Sequence, residues 1–293
     1  MKKVIKKILF LFLIQASFTA SSQDYTGIWQ GYITGIGVPV NTNYTLHIKK
    51  QENGIVFGRA YIFSKKYLTH QGILDFVGDI NGNNFKITEL VIVNSITTLP
   101  RRLLCIKYAS LRFAKRNNAD FLSGFWDGST EENTPCVPGE VHLKKLTGAN
   151  SESNDPVPGP VLDAIAQDKA VGMPFLDTEL LKPVILDVSS RQVTLEIKDY
   201  LKEDNDTVSI YYNRKLLIER LRIGKQSFKQ LLRLDRKPLN EIVLYANNLG
   251  AIPPNTSNLT IRDGSKTQRV IIESTKQSSA VIYLRYTPRD NSP

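Results

Sequence analysis

Signatures of catalysis are what this sequence lacks. No nucleophile motif surrounds a serine or cysteine, and no zinc-protease pattern is present. The three histidines, His47, His70 and His142, and the two cysteines are too scattered for metal-site spacing, so no metal and no cofactor is expected. Long apolar runs are missing too. Ile8 to Ile14 is the most continuous, well short of the roughly 20 residues that span a bilayer. Between Tyr25 and Leu146 no amphipathic helix of any length can be drawn. The basic excess carries no nucleic-acid motif, so nucleic acid is excluded as a partner.

What is present starts with an export signal. Lys2, Lys3, Lys6 and Lys7 precede the apolar run, and Ala20-Ser21-Ser22 supplies a small-residue cleavage site before Gln23. Residues 1–22 therefore read as a signal peptide, and the mature chain as exported, periplasmic or extracellular, without a transmembrane segment. Removing four lysines lowers the 38 basic side chains to 34 against 28 acids, a net charge of +6 instead of +10. The densest basic cluster, Arg101, Arg102, Lys107, Arg112, Lys115 and Arg116, reads as a solvated strand face, with an anionic glycan or headgroup as the alternative. In an oxidising compartment Cys105 and Cys136 are expected to be bridged.

The rest is organised as strands. In Tyr44 to Lys49, Tyr44, Leu46 and Ile48 face one way and Thr45, His47 and Lys49 the other; Val141 and Leu143 alternate with Glu140, His142 and Lys144. Strands are also expected at 55–63, 73–80, 85–93, 103–113 and 121–126, with Asn81-Gly82-Asn83 as a hairpin turn. Eight to ten such strands suit an up-and-down antiparallel barrel over residues 23–146. Residues 147–183, rich in Ser, Asn, Gly and Pro at their start, read as a linker with a short helix at 161–170. Residues 184–293 return to about seven strands, with turns at Asn213-Arg214 and Asp263-Gly264. The fold class is all-β: an N-terminal barrel followed by a C-terminal β-sandwich of immunoglobulin-like size.

Two resemblances follow. Gly27-Ile28-Trp29, with Leu122 to Gly128, Cys136 and Gly139 to Leu143, is similar to lipocalin-like barrels, which implies a ligand held in or at the barrel. Asp204 to Asn213 with Leu244 to Thr256 resembles a module of exported Bacteroidetes proteins without an assigned activity; that module has Gly where Asn205 stands here.

Trp29 and Trp126 are the two tryptophans, both in the barrel. Trp126, beside Asp127 and the polar loop Ser129 to Thr134, is the candidate for stacking on a ligand, with Asp127 and Trp29 as companions. Closing the barrel floor is the alternative for Trp29. Asp127 with Glu131 or Glu132 is the best carboxylate group for glycoside hydrolysis, yet such clusters are commonly solvated loops. Glu203, Asp204 and Asp206 offer oxygen ligands for calcium but lack the EF-hand loop, and a turn into the strand from Thr207 accounts for them. The sequence thus reads as a non-catalytic binding protein of the cell envelope, its barrel taking a small molecule, glycan or envelope protein and its sandwich docking. A subunit of an envelope assembly and a glycan hydrolase are the alternatives.

Overall fold

The alternation along the first half closes into a barrel. The computed structural model describes residues 23–63, 71–96, 104–147, 174–200, 203–264 and 266–288, with Gly159 and Asp163. Residues 1–22, expected to be a signal peptide, and most of the linker, including the expected helix apart from Asp163, lie outside the described residues. Eight antiparallel strands follow one another around the barrel: β1 (Gly27–Gly35), β2 (Val38–Glu52), β3 (Ile55–Phe63), β4 (Gln71–Asn81), β5 (Asn84–Ile96), β6 (Ile106–Arg116), β7 (Ala119–Ser129) and β8 (Gly139–Lys145). Pairing of β8 back onto β1, from Trp29 opposite Lys145 to Ile33 opposite Val141, closes the ring and leaves no free edge.

Tyr44, Leu46 and Ile48 all turn inward, as their period-two spacing requires, and join Trp29, Phe76, Phe85, Leu122 and Val141 in one apolar core. Strand crowding demands glycine at Gly58, where a Cβ would lie 2.0 Å from the His47 carbonyl oxygen and 2.8 Å from the Phe76 ring. The 81–84 turn forms as expected, with Gly82 at φ +57°. The strand expected from Leu103 begins at Ile106, after Cys105, which is disulfide-bonded to Cys136 across a Cα–Cα distance of 6.2 Å.

The second half builds two sheets. The short β9 (Pro174–Phe175) leads into β10 (Thr178–Val188), β11 (Gln192–Asp199), β12 (Thr207–Tyr212), β13 (Lys215–Arg222), β14 (Phe228–Arg233), β15 (Leu239–Ala246), β16 (Asn255–Asp263), β17 (Lys266–Ser274) and β18 (Ser278–Tyr286). The larger sheet has the order β13-β12-β15-β18-β10-β9 and the smaller β14-β11-β16-β17. Val193, Leu195, Leu259 and Ile261 of the smaller sheet share a core with Ile210, Ile242, Leu244 and Ile282 of the larger. More strands form than the expected seven, because β13, β14 and β17 carry largely exposed side chains and give weak apolar signals. Both expected hairpins form; Asn213 and Arg214 sit at φ +49° and +67°, and Gly264 at +57°.

The two central strands of the larger sheet are apolar on both faces. Ile242, Leu244, Ile282 and Leu284 point into the shared core, while Val243, Val281 and Tyr283 point the other way. That second face is covered by the outside of the barrel: Ile55, Phe57, Val77 and Leu90 pack with Phe175, Leu180, Leu239, Val243, Val281 and Tyr283 in one buried cluster. Burying side chains of this size stabilises by about 1.5–3 kcal/mol each, so the contact is a core and not a touch. A bulge in β5 helps form it. Phe76 pairs with Glu89 and Asp75 with Val91, leaving Leu90 as the extra residue, so that it and Val91 both face outward against the second half. Ion pairs ring the contact: Arg285 joins Asp187 and Asp79, Lys50 reaches Glu179 at 2.9 Å, and Arg214 sits between Glu241 and Asp75.

A candidate ligand cleft between the barrel and the second half

Where the sequence-derived site residues lie decides which site survives. Trp29 is fully buried, its indole N–H donating to the Tyr25 carbonyl at 2.9 Å. Trp126 is 7% exposed and its indole N–H donates to the Thr34 carbonyl at 2.8 Å, so both tryptophans are part of the barrel core. Asp127 points outward, and its carboxylate accepts the neighbouring Gly128 N–H at 2.6 Å. Glu131 and Glu132 sit in the exposed turn that follows β7. The structure therefore does not bring the tryptophans and carboxylates together around one opening.

One member of the basic cluster is not on a solvated face. Lys107 points into the barrel beside Glu89, which is completely buried. Glu89 accepts the Lys107 backbone N–H at 2.7 Å, the Tyr44 hydroxyl at 2.8 Å and the Lys107 ammonium at 3.4 Å. The ammonium also donates to the Cys105 carbonyl at 3.0 Å and lies 5.8 Å from the ring centroids of Tyr44 and Trp126. Burial lowers the Lys107 pKa and raises that of Tyr44. Every partner in this network is already taken, so it reads as an internal tie near the disulfide. The alternating pattern of β6 put Lys107 inward all along, but charge alone suggested water.

Beside this end of the barrel, a cleft of about 230 Å³ opens between the two halves. Its barrel wall comprises Leu90, Val91, Ile106, Tyr108, Ser129, Thr130, Glu131 and Asn133; its opposite wall comes from the β12–β13 hairpin and the β14–β15 loop. Glu131 is thus the one carboxylate of the sequence-derived set that lines it. The other participants were not legible as site residues. Tyr212, Asn213, Lys215, Asp235 and Lys237 read locally as strand ends and turns, and only the packing of one half on the other makes them a wall.

The opposite wall is held by a buried amide. Asn240, with no exposed surface, accepts the Asp235 backbone N–H at 2.9 Å and the Tyr212 hydroxyl at 2.5 Å. Asn213 ties the hairpin to the same loop: its amide donates to the Asp235 carboxylate at 2.8 Å while its carbonyl accepts the Glu241 N–H at 2.8 Å. Behind it, Arg214 is held by Glu241, which also accepts the Tyr283 hydroxyl at 3.0 Å. Burial and the neighbouring Asp235 charge push the Tyr212 hydroxyl well above its ordinary value, so it remains a neutral donor.

The acidic turn behaves as a turn. The Asp204 carboxylate accepts the Ile252 N–H at 2.7 Å and its carbonyl accepts the Ala251 N–H at 3.1 Å, joining two loops. Among the described residues no group of three or more His, Cys, Asp or Glu is arranged to hold a metal ion. Comparisons of the chain with family models, curated proteins and solved structures gave no match.

Proposed function

We propose that this is an exported binding protein of the cell envelope whose ligand sits in the cleft between the barrel and the second half. The observation that carries this reading is the convergence on one opening of hydroxyl, amide and charged side chains from both halves, on loops fixed by buried Asn240 and Asn213. Clefts between packed units, apolar in part and lined by a few oriented polar groups, are common ligand sites. The barrel then serves as a scaffold, since its interior carries the two tryptophans and the Glu89–Lys107–Tyr44 tie as packed core. The second half we read as an immunoglobulin-like sandwich of the Bacteroidetes module type, carrying an extra β16–β17 hairpin between the neighbouring strands β15 and β18.

The test is a thermal-shift panel of sugars, sugar acids, peptides and lipids against the mature protein and a cleft-filling variant. Leu216 lines the cleft and is 50% exposed, so Leu216→Trp should fold normally. Compounds that stabilise the parent should fail to stabilise Leu216→Trp. Equal responses from both proteins would place the ligand elsewhere.

A further inference from the structure

Lys237 lines the cleft on the β14–β15 loop with a relative exposure of 8%. Among the described residues it makes no direct ion pair, although Asp235 and Glu241 attract its charge from further off and Lys215 and Arg214 repel it. A buried ammonium without a counter-ion is costly, and native structures normally pair it. The loop that carries it is not slack. Asn240 donates to the carbonyls of Asp235 and Lys237 at 3.4 and 3.5 Å, and the Lys237 N–H donates to the Asp235 carbonyl at 2.8 Å. Pro238 follows directly and fixes the backbone there. The backbone that carries the cation is thus fixed, and its ammonium makes no direct ion pair at the edge of a space that has room for a carboxylate.

The charges around it limit what that partner can be. Lys215 lines the cleft with a second positive charge, whereas Glu131 and Asp235 contribute two negative ones. A dianion would meet both carboxylates; a single carboxylate on Lys237 would not need to. Ser129, Thr130, Asn133 and Tyr108 around the same space offer donors and acceptors suited to hydroxyl groups. Resting on the cleft as the ligand site, we infer that the ligand is a small hydroxylated carboxylate of the size of a hexuronic acid, its carboxylate paired with Lys237. Burial is the main force on the ammonium, holding its pKa down to about 8, and an arriving carboxylate would oppose that shift. Affinity should therefore be constant between about pH 5, above which the uronate carboxyl is ionised, and about pH 8, and decline above that as the free protein loses the proton.

The test uses the mature protein with glucuronate and galacturonate as probes, and glucose, galactose and inorganic phosphate as controls. Calorimetric titration should detect the uronates. Lys237→Met, which keeps the length of the side chain without its charge, should weaken them at least tenfold, while Lys225→Met should leave binding unchanged. NMR of the lysine Nζ resonances should show the Lys237 pKa rising on addition of uronate. Neutral sugars binding as well as uronates, in a manner lost in Leu216→Trp, would overturn the carboxylate assignment and leave the cleft reading intact. Tighter binding of phosphate than of uronate, or the absence of any uronate response, would overturn the assignment as well; a ligand response unaffected by Leu216→Trp would instead sink the cleft reading itself.

Discussion

Trp126 illustrates how much a single side chain decides. Its place beside Asp127 and a polar loop suggested a ligand platform, but it sits in the core with its N–H satisfied by Thr34. Sequence pattern tells which face of β7 a residue occupies; it does not tell whether the inside of a barrel is packed. Trp126→Ala should lower stability by about 3–5 kcal/mol, as truncation of a buried tryptophan does, which denaturant melts will show. A cost under about 1 kcal/mol would mean that the ring lies against open space. Asp206, 3% exposed, has its carboxyl pKa raised to about 7, first by burial and then by the charges of Asp204 and Asp199. In the unfolded chain it returns to 3.8. Below that value both states hold the proton and nothing is lost; between it and about 7 stability falls as pH rises, and above 7 the loss is complete. Asp206→Asn should consequently stabilise the protein at pH 8 and change little at pH 3.5, measured by melts across that range. Equal effects at the two pH values would rule out this titration.

At the level of elements, turns were the most readable feature because their chemistry is local. Asn81-Gly82, Asn213-Arg214 and Asp263-Gly264 all became hairpin connections, since Gly and Asn tolerate positive φ. The alternation of β2 and β8 likewise gave the inward set directly. The bulge in β5 was not readable: Thr88-Glu89-Leu90-Val91 has no glycine to mark it, and its effect is to aim Leu90 and Val91 at the second half. The β12–β13 turn links this local chemistry to the cleft. Asn213 is needed there twice, for its backbone conformation and for the side-chain amide that holds Asp235. Asn213→Gly should keep the turn and lose only the tie, whereas Asn213→Ala should lose both and cost about 1–3 kcal/mol, with Ala the worse of the two. Equilibrium unfolding of the pair checks the order; a Gly variant at least as destabilised as Ala would assign the whole role to the hydrogen bonds.

For the molecule as a whole, the decisive fact is that barrel and second half share a buried apolar cluster in addition to having separate cores. A trace of it was in the sequence. Ile55-Val56-Phe57 and Ile242-Val243-Leu244 are unbroken apolar runs where a strand with one wet face would alternate, and such runs mark burial on both sides. What a run cannot say is which distant surface covers it, and therefore the cleft, composed of residues from both halves, was beyond reach of local pattern. The central claim is that ligand enters this cleft and leaves the barrel interior alone. The two indole N–H groups report on the interior, because Trp29 and Trp126 are the tryptophans of the chain and both are buried there. Backbone amides of Thr130, Asn133, Leu216 and Lys237 report on the cleft. Titration of the most stabilising panel compound into isotope-labelled protein, followed by two-dimensional NMR, compares the two directly. Shifts confined to the cleft amides with both indole signals unmoved are the expected result; indole signals that move first, over still cleft amides, would contradict it.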